Sequence, residues 1–242
     1  MQAPEEPRRT RPAGQDRRVY LIGGVAAIVG SLMGMMGNII HPATPLDDPQ
    51  GVARVIAESD AWTAIHLVIL FGVVLMLGGL VALYQSIRDT VGGALARLGL
   101  AAAIVGIAIG VVLVILDGVA AKELADAWAT APQEERTIAL RILLANETIN
   151  FALASSFNIV FAGATFILFG LAVASSGVYR RTLGWVVVAA GIVSVGAGLI
   201  QAFSAEPTTA SRVLTIIGPT VITLWLLVIG VLLVRMASQK AS

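Results

Sequence analysis

The sequence predicts an all-α polytopic membrane protein, a bundle of six transmembrane helices with both termini cytoplasmic. Three observations carry that prediction. Hydrophobic residues make up 57% of the 242-residue chain and charged residues only 13%, whereas a soluble domain carries about 25% charge. The charges gather between long stretches that have none. Basic residues favour one set of connections and acidic residues the other, which is the asymmetry that sets orientation across a bilayer.

A helix crossing the roughly 30 Å hydrocarbon core needs about 20 apolar residues. Six segments supply them, at 19–40, 62–84, 98–120, 151–174, 183–203 and 213–234, and together they define a transmembrane domain over 19–236. Backbone groups find no water in that core, so each segment must be helical.

Residues 1–18 carry Pro4, Pro7 and Pro12 among charges and read as a disordered cytoplasmic tail. Arginines followed by an apolar run resemble a signal peptide. The run is about 22 residues long and no small-residue cleavage motif precedes His41-Pro42, so an uncleaved first span is expected. Next come Pro42, Pro45 and Pro49, then an amphipathic stretch over 49–59 suited to a short helix along the membrane surface. Trp62 opens the second span as an interfacial anchor. The connection 121–150 reads as helix on both sides of a break at Ala131-Pro132, because Pro suits a first helical turn and Glu134 and Glu135 suit its positive end. It predicts a helical hairpin that continues spans three and four beyond the bilayer. In the sixth span Pro219 removes a backbone hydrogen bond and bends the helix, with Thr215, Thr220 and Thr223 nearby to re-satisfy the backbone. Residues 237–242 form a short cytoplasmic tail, and no separate soluble domain is expected.

With the N-terminus inside, eleven basic residues fall on the inner side and five on the outer, while acidic residues divide four to eleven. Tyr20, Tyr84, Tyr179 and Trp185 mark the inner interface. Fourteen arginines against two lysines, in a chain rich in Ala, Gly and Val, suggest a GC-rich bacterial genome and hence the bacterial plasma (inner) membrane. A net charge of +1 argues for no nucleic-acid partner. The absence of cysteine excludes disulfides, thiolate metal sites and cysteine nucleophiles.

Gly30 with Gly34, and Gly106 with Gly110, have the spacing that lets helix backbones approach closely, either within the bundle or in a homo-oligomer. Gly99 and Gly106 are echoed by Gly184 and Gly191, each pair seven residues apart behind a basic loop, as in a duplicated hairpin or, more simply, as in any packed spans that follow short basic loops.

Polar residues cluster near the outer ends of the spans. His41, His66, Asp117, Glu147, Asn150 and Asn158 form a candidate outer polar pocket, flanked by Asn38 and Gln201, with Asn158 deepest. Ionisable groups in a membrane face a cavity, a partner or the bundle interior. The same residues also fit a plain interfacial ring, where polar groups reach water. His41, His66, Asp117 and Glu147 offer donors to a cation. No histidine pair sits one helical turn apart, and His41 adjoins Pro42 at the water boundary, so neither metal nor haem nor any other cofactor is expected. There is no G-x-S-x-G, P-loop or H-E-x-x-H. Asp117-Gly118 lacks the downstream glycine and aspartates of a CDP-alcohol phosphotransferase, and no catalytic residue is assigned.

Asp48-Pro49 followed by Ala53, Ile56 and Ser59, Arg181-Thr-Leu-Gly-Trp185 opening a span, and Leu224-Trp-Leu-Leu227 with Gly230 resemble the bacterial domain-of-unknown-function family 4386. Trp62 departs from that pattern, standing where a polar or basic approach to the second span is more usual. The resemblance implies six spans over most of the chain and implies no activity. Three readings of function remain open: a non-enzymatic scaffold, sensor or modulator; a transporter of small solutes or lipids with an outward-facing polar pocket; and a membrane enzyme acting on lipid at the outer face through Asp117 and Glu147.

Overall fold

The structure, a computed structural model, describes residues 13–204 and 208–239. Most of the expected tails, 1–12 and 240–242, lies outside the described residues. Seven helices form: α1 (Ala13–Ile40), α2 (Pro49–Glu58), α3 (Trp62–Ile87), α4 (Gly93–Thr130), α5 (Arg136–Ser176), α6 (Arg181–Phe203) and α7 (Thr209–Gln239), and the described residues contain no strand. All except α2 are long and apolar enough to cross a membrane. The chain is a multi-pass membrane protein.

Helix ends follow local chemistry. Asp48 caps α2, its Oδ1 accepting from Gly51 N–H at 2.9 Å, with Pro49 in the first turn. Gly177 ends α5 with φ of +72°, a left-handed conformation that a Cβ would strain. α1 starts at Ala13, ahead of the expected boundary at Val19. Arg17 Nε donates to Ala237 O at 3.2 Å, tying that charged turn to the end of α7.

The six long helices pack in a ring in the order α1, α3, α4, α5, α6, α7, which closes back onto α1. The half nearest the termini is solid. Leu80, Leu83, Phe166, Phe169, Leu226 and Ile229 are fully buried there. An aromatic ladder runs down to this core: Phe157 stacks on Phe161 at 4.9 Å between centroids, Phe161 meets Phe166 edge-on at 5.6 Å, and Phe166 meets Trp225 at 6.0 Å. Trp225 Nε1 donates to Leu183 O at 2.9 Å, so its polar edge is satisfied inside the bundle. The outward faces stay apolar and exposed, as with Ile22, Phe71, Ile104, Ile192 and Ile216, which suits contact with lipid chains.

The opposite half carries the connections 41–61 and 131–135 and is called the cap end. Here α4 and α5 extend as a helical pair, and α2 lies against them. Ala53 and Ile56 of α2 join Trp62, Ala121, Ala125, Trp128 and Leu143 in a second, smaller core. The apolar stripe of α2 therefore packs on protein rather than on a membrane surface. Lys122 Nζ reinforces this by donating to Ala57 O at 3.0 Å.

Glycine lets the helices close up. A Cβ on Gly30 would lie 2.6 Å from Gly72 O, and one on Gly72 would lie 2.8 Å from Gly34 N, so α1 and α3 touch backbone to backbone. The paired glycines of α4 and α6 also have a packing reason. Gly99 and Gly106 meet Phe169 and Phe161, while Gly184 and Gly191 meet Gly170 and Gly163. All four face α5, which lies between the two helices. Gly72→Ala is expected to lower stability by about 1–3 kcal/mol through overpacking. Gly196→Ala, with nothing within 4 Å of the added carbon, should be neutral or slightly stabilising. Thermal unfolding of the two variants in detergent checks the contrast.

Candidate functional site

Two of the long helices lose regular α geometry at the cap half. α4 widens into a π turn over Leu116–Ala120, and α5 does so over Asn158–Thr165. Such turns re-aim side chains and recur at functional sites. Here they carry Asp117 and Asn158. In the π turn of α4, three successive carbonyls are met by side chains from other helices. Asn146 Nδ2 donates to Leu116 O at 3.2 Å, Trp62 Nε1 to Asp117 O at 2.7 Å and Thr63 Oγ1 to Gly118 O at 2.8 Å. Gly118 also lets α3 approach, since a Cβ there would sit 2.3 Å from His66 Cβ.

His66 stands one turn into α3 and is buried, while His41 immediately follows α1 and is half-buried. His66 Nδ1 donates to Trp62 O at 2.8 Å and His41 Nδ1 donates to Pro42 O at 2.9 Å. Both Nε2 atoms turn inward, 3.3 Å apart, and His66 Nε2 lies 3.1 Å from Asp117 Oδ2. Trp62 backs the pair, its ring centroid 4.9 Å from that of His41 and 4.8 Å from that of His66. Burial holds the His41 imidazole below its ordinary pKa and His66 adds to that shift, against a smaller pull from Asp117.

Two cavities meet at this cluster. A vestibule of about 650 Å³ is lined by Asp47, Asp117, Glu147, Thr148, Asn150 and Arg212, of which Asp47, Thr148 and Arg212 are exposed. An inner cavity of about 320 Å³ lies within the ring, between His41, His66, Met76, Phe157, Asn158 and Ile222. Leu113, Asp117 and Ala154 line both. Arg212 Nη2 donates to Thr44 O at 3.0 Å and joins α7 to the first long connection at the vestibule wall.

The six residues singled out in the sequence fall into three groups. His66 touches both His41 and Asp117, and the ligand atoms of all three lie within 4.8 Å of one another. Glu147 and Asn150 share the vestibule wall, with Asn150 Nδ2 donating to Glu147 Oε1 at 3.3 Å. Asn158 sits apart in the inner cavity, its Nδ2 donating to Gln201 Oε1 at 2.8 Å and to Thr215 Oγ1 at 3.4 Å. Asn38 spends its amide on Gly34 O of its own helix. Sequence reasoning gave Trp62 only an anchoring role and passed over Thr63, Asn146 and Arg212. A signal existed for Trp62, which lies four residues before His66 and so on the same helical face. Nothing in the sequence pairs Asn146 or Arg212 with its carbonyl.

Trp62→Phe keeps the ring and removes the donor to Asp117 O, so stability should fall by about 0.5–1.5 kcal/mol for the lost hydrogen bond. Thr63→Val tests the next carbonyl, that of buried Gly118, and should cost a similar amount. Thermal unfolding of both variants measures this.

No curated protein and no solved structure matches the chain. The family model described as Domain of unknown function (DUF4386) matches residues 19–230, from the first turns of α1 to most of α7. The match takes in the whole ring and every residue of the cluster, and the chain belongs to the DUF4386 family.

Proposed function

We propose that this protein is a non-enzymatic membrane receptor or sensor, which takes up a small amphipathic molecule from the outer side of the bacterial plasma membrane. The observation that supports it is that two unlike cavities lie side by side, sharing Leu113, Asp117 and Ala154 in their walls. The vestibule offers carboxylates and amides, while the inner cavity adds Ile69, Leu70, Met76, Phe157, Phe161 and Ile222 to its polar groups and is the more apolar of the two. A ligand with a polar end and an apolar body fits that sequence of environments. Asp47, Asp117 and Glu147 stand against Arg212 alone among the charged groups of the vestibule, which favours an amine or hydroxyl head over a phosphate. The solid aromatic core beneath Phe161 gives the cavity a floor rather than a way through.

The same proposal sets both termini in the cytoplasm and the cap outside, because Arg17, Arg18, Arg88, Arg97, Arg180, Arg181 and Arg235 all lie toward the terminal end. At about 1.5 Å per residue, the 38 residues of α4 and 41 of α5 far exceed the roughly 30 Å core. The helical pair with α2 then stands above the outer leaflet.

The absence of native cysteine makes the orientation directly testable. Gln133→Cys, exposed at the tip of the cap, should react with a membrane-impermeant maleimide in intact cells. Asp89→Cys should react only after permeabilisation; the reverse pattern overturns the orientation. For the ligand, dodecylamine, dodecanol and dodecyl phosphate are added to the purified full chain and thermal shifts are compared. The amine and alcohol should stabilise it more than the phosphate, and Ala154→Phe, which fills the junction of the two cavities, should abolish the difference. Equal shifts for all three, unchanged in Ala154→Phe, overturn the binding reading.

A further inference from the structure

The cluster of His41, His66 and Asp117 has an excess of acceptors. Trp62 O and Pro42 O are carbonyls and can only accept, so the ring nitrogens facing them, His66 Nδ1 and His41 Nδ1, must carry the hydrogens. In neutral imidazoles both Nε2 atoms then present bare lone pairs. They face each other at 3.3 Å, with Asp117 Oδ2 at 3.1 Å from one of them. Among the described residues no lysine or arginine pairs with Asp117. Two lone pairs and a carboxylate pointed at one spot repel unless something positive sits between them. Only a proton or a metal cation is small enough.

We infer that His41 Nε2, His66 Nε2 and an Asp117 carboxylate oxygen bind a divalent transition metal of the zinc class at the junction of the two cavities. The spacing is the first support. Donor atoms about 2.0–2.1 Å from a tetrahedral zinc lie roughly 3.3–3.4 Å from one another. Two of the three separations, 3.3 and 3.1 Å, are close to that, and the longer His41–Asp117 one stays within 4.8 Å. The ring closes on an ion with little movement.

The surroundings are the second support. A ligating histidine usually donates its other ring nitrogen to a carbonyl or carboxylate, which fixes its tautomer and orientation. Both histidines already do so. Asp117 is held just as firmly, since its π turn is tied down by Trp62, Thr63 and Asn146. Trp62 packs against both imidazoles and shields one side of the cluster. Two imidazoles with one carboxylate select zinc and its first-row neighbours over magnesium and calcium, which prefer oxygen ligands throughout.

Three protein ligands leave a fourth position free, the arrangement of a zinc that takes water or an exogenous donor. Asp117 lines both cavities, and His41 and His66 line the inner one, so that position opens onto cavity space rather than onto packed protein. An amine or hydroxyl reaching the junction is a chemically suitable fourth ligand. The metal site itself stands on the three side chains and does not depend on the identity of any ligand.

The test uses the full chain, purified without chelator and with any histidine tag removed, then loaded with zinc and exchanged into metal-free buffer. Elemental analysis should find about one zinc per chain. Cobalt loading should give the intense visible bands of a four-coordinate site. His66→Ala, His41→Ala and Asp117→Asn should each lose the stoichiometric ion and the cobalt bands while keeping wild-type elution and helical circular dichroism. Glu147→Gln, outside the ligand set, should retain both. His41 lies beyond the end of α1 and is half-buried, so its variant carries the test if His66→Ala misfolds. Wild-type protein holding no zinc above buffer and showing no cobalt bands overturns the proposal and leaves a proton shared between His66 and Asp117. Retention of the ion in the double variant His41→Ala/His66→Ala overturns it as well.

Discussion

Buried polar groups in a membrane need partners, and in the cap half of this bundle three side-chain donors gather on the carbonyls of one π turn. The π turn at Leu116–Ala120 presents the carbonyls of Leu116, Asp117 and Gly118 to donors from α3 and α5, Leu116 O accepting from Ala121 N–H of its own helix as well. Those donors bring Trp62 and Thr63 against α4. One turn further along α3, His66 then falls against the Asp117 side chain. The backbone requirement and the side-chain cluster are two faces of one contact.

The ring explains why such a cluster sits beside open space. Near the termini, glycines bring helices close and large aromatics fill what remains, so that half is a conventional packed core. Toward the cap, α4 and α5 are re-aimed by their π segments, and the polar side chains of Asp117, Glu147, Asn150 and Asn158 line space rather than fill it. The lower core supplies rigidity and the upper half supplies chemistry. The small second core beneath α2 holds the rim of the vestibule in place.

Much of this was legible in one dimension because a bilayer imposes simple rules. Each of the six apolar runs lies within one of the six long helices, and the break at Ala131-Pro132 coincides with the end of α4. Pro219 lies inside α7, with Thr223 Oγ1 donating to Pro219 O at 2.8 Å. One local reading needed adjustment. The amphipathic stripe of α2 said that one face is apolar without saying what it faces, and protein rather than lipid covers it. The repeated glycines of α4 and α6 have a packing role, both pairs meeting the helix α5 that runs between them.

The sequence by itself determined the class of molecule, the number of helices long and apolar enough to span a membrane, and the set of polar residues available for function. These follow from composition and periodicity along the chain, which hydrocarbon solvent reads directly. The tertiary structure alone decided which polar residues meet. His41 and His66 lie 25 residues apart, and Asp117 a further 51, so no helical spacing relates them. Their meeting depends on how α1, α3 and α4 are rotated about their own axes. That rotation is set by glycine contacts and by the carbonyls of a π turn, neither of which leaves a period in the sequence.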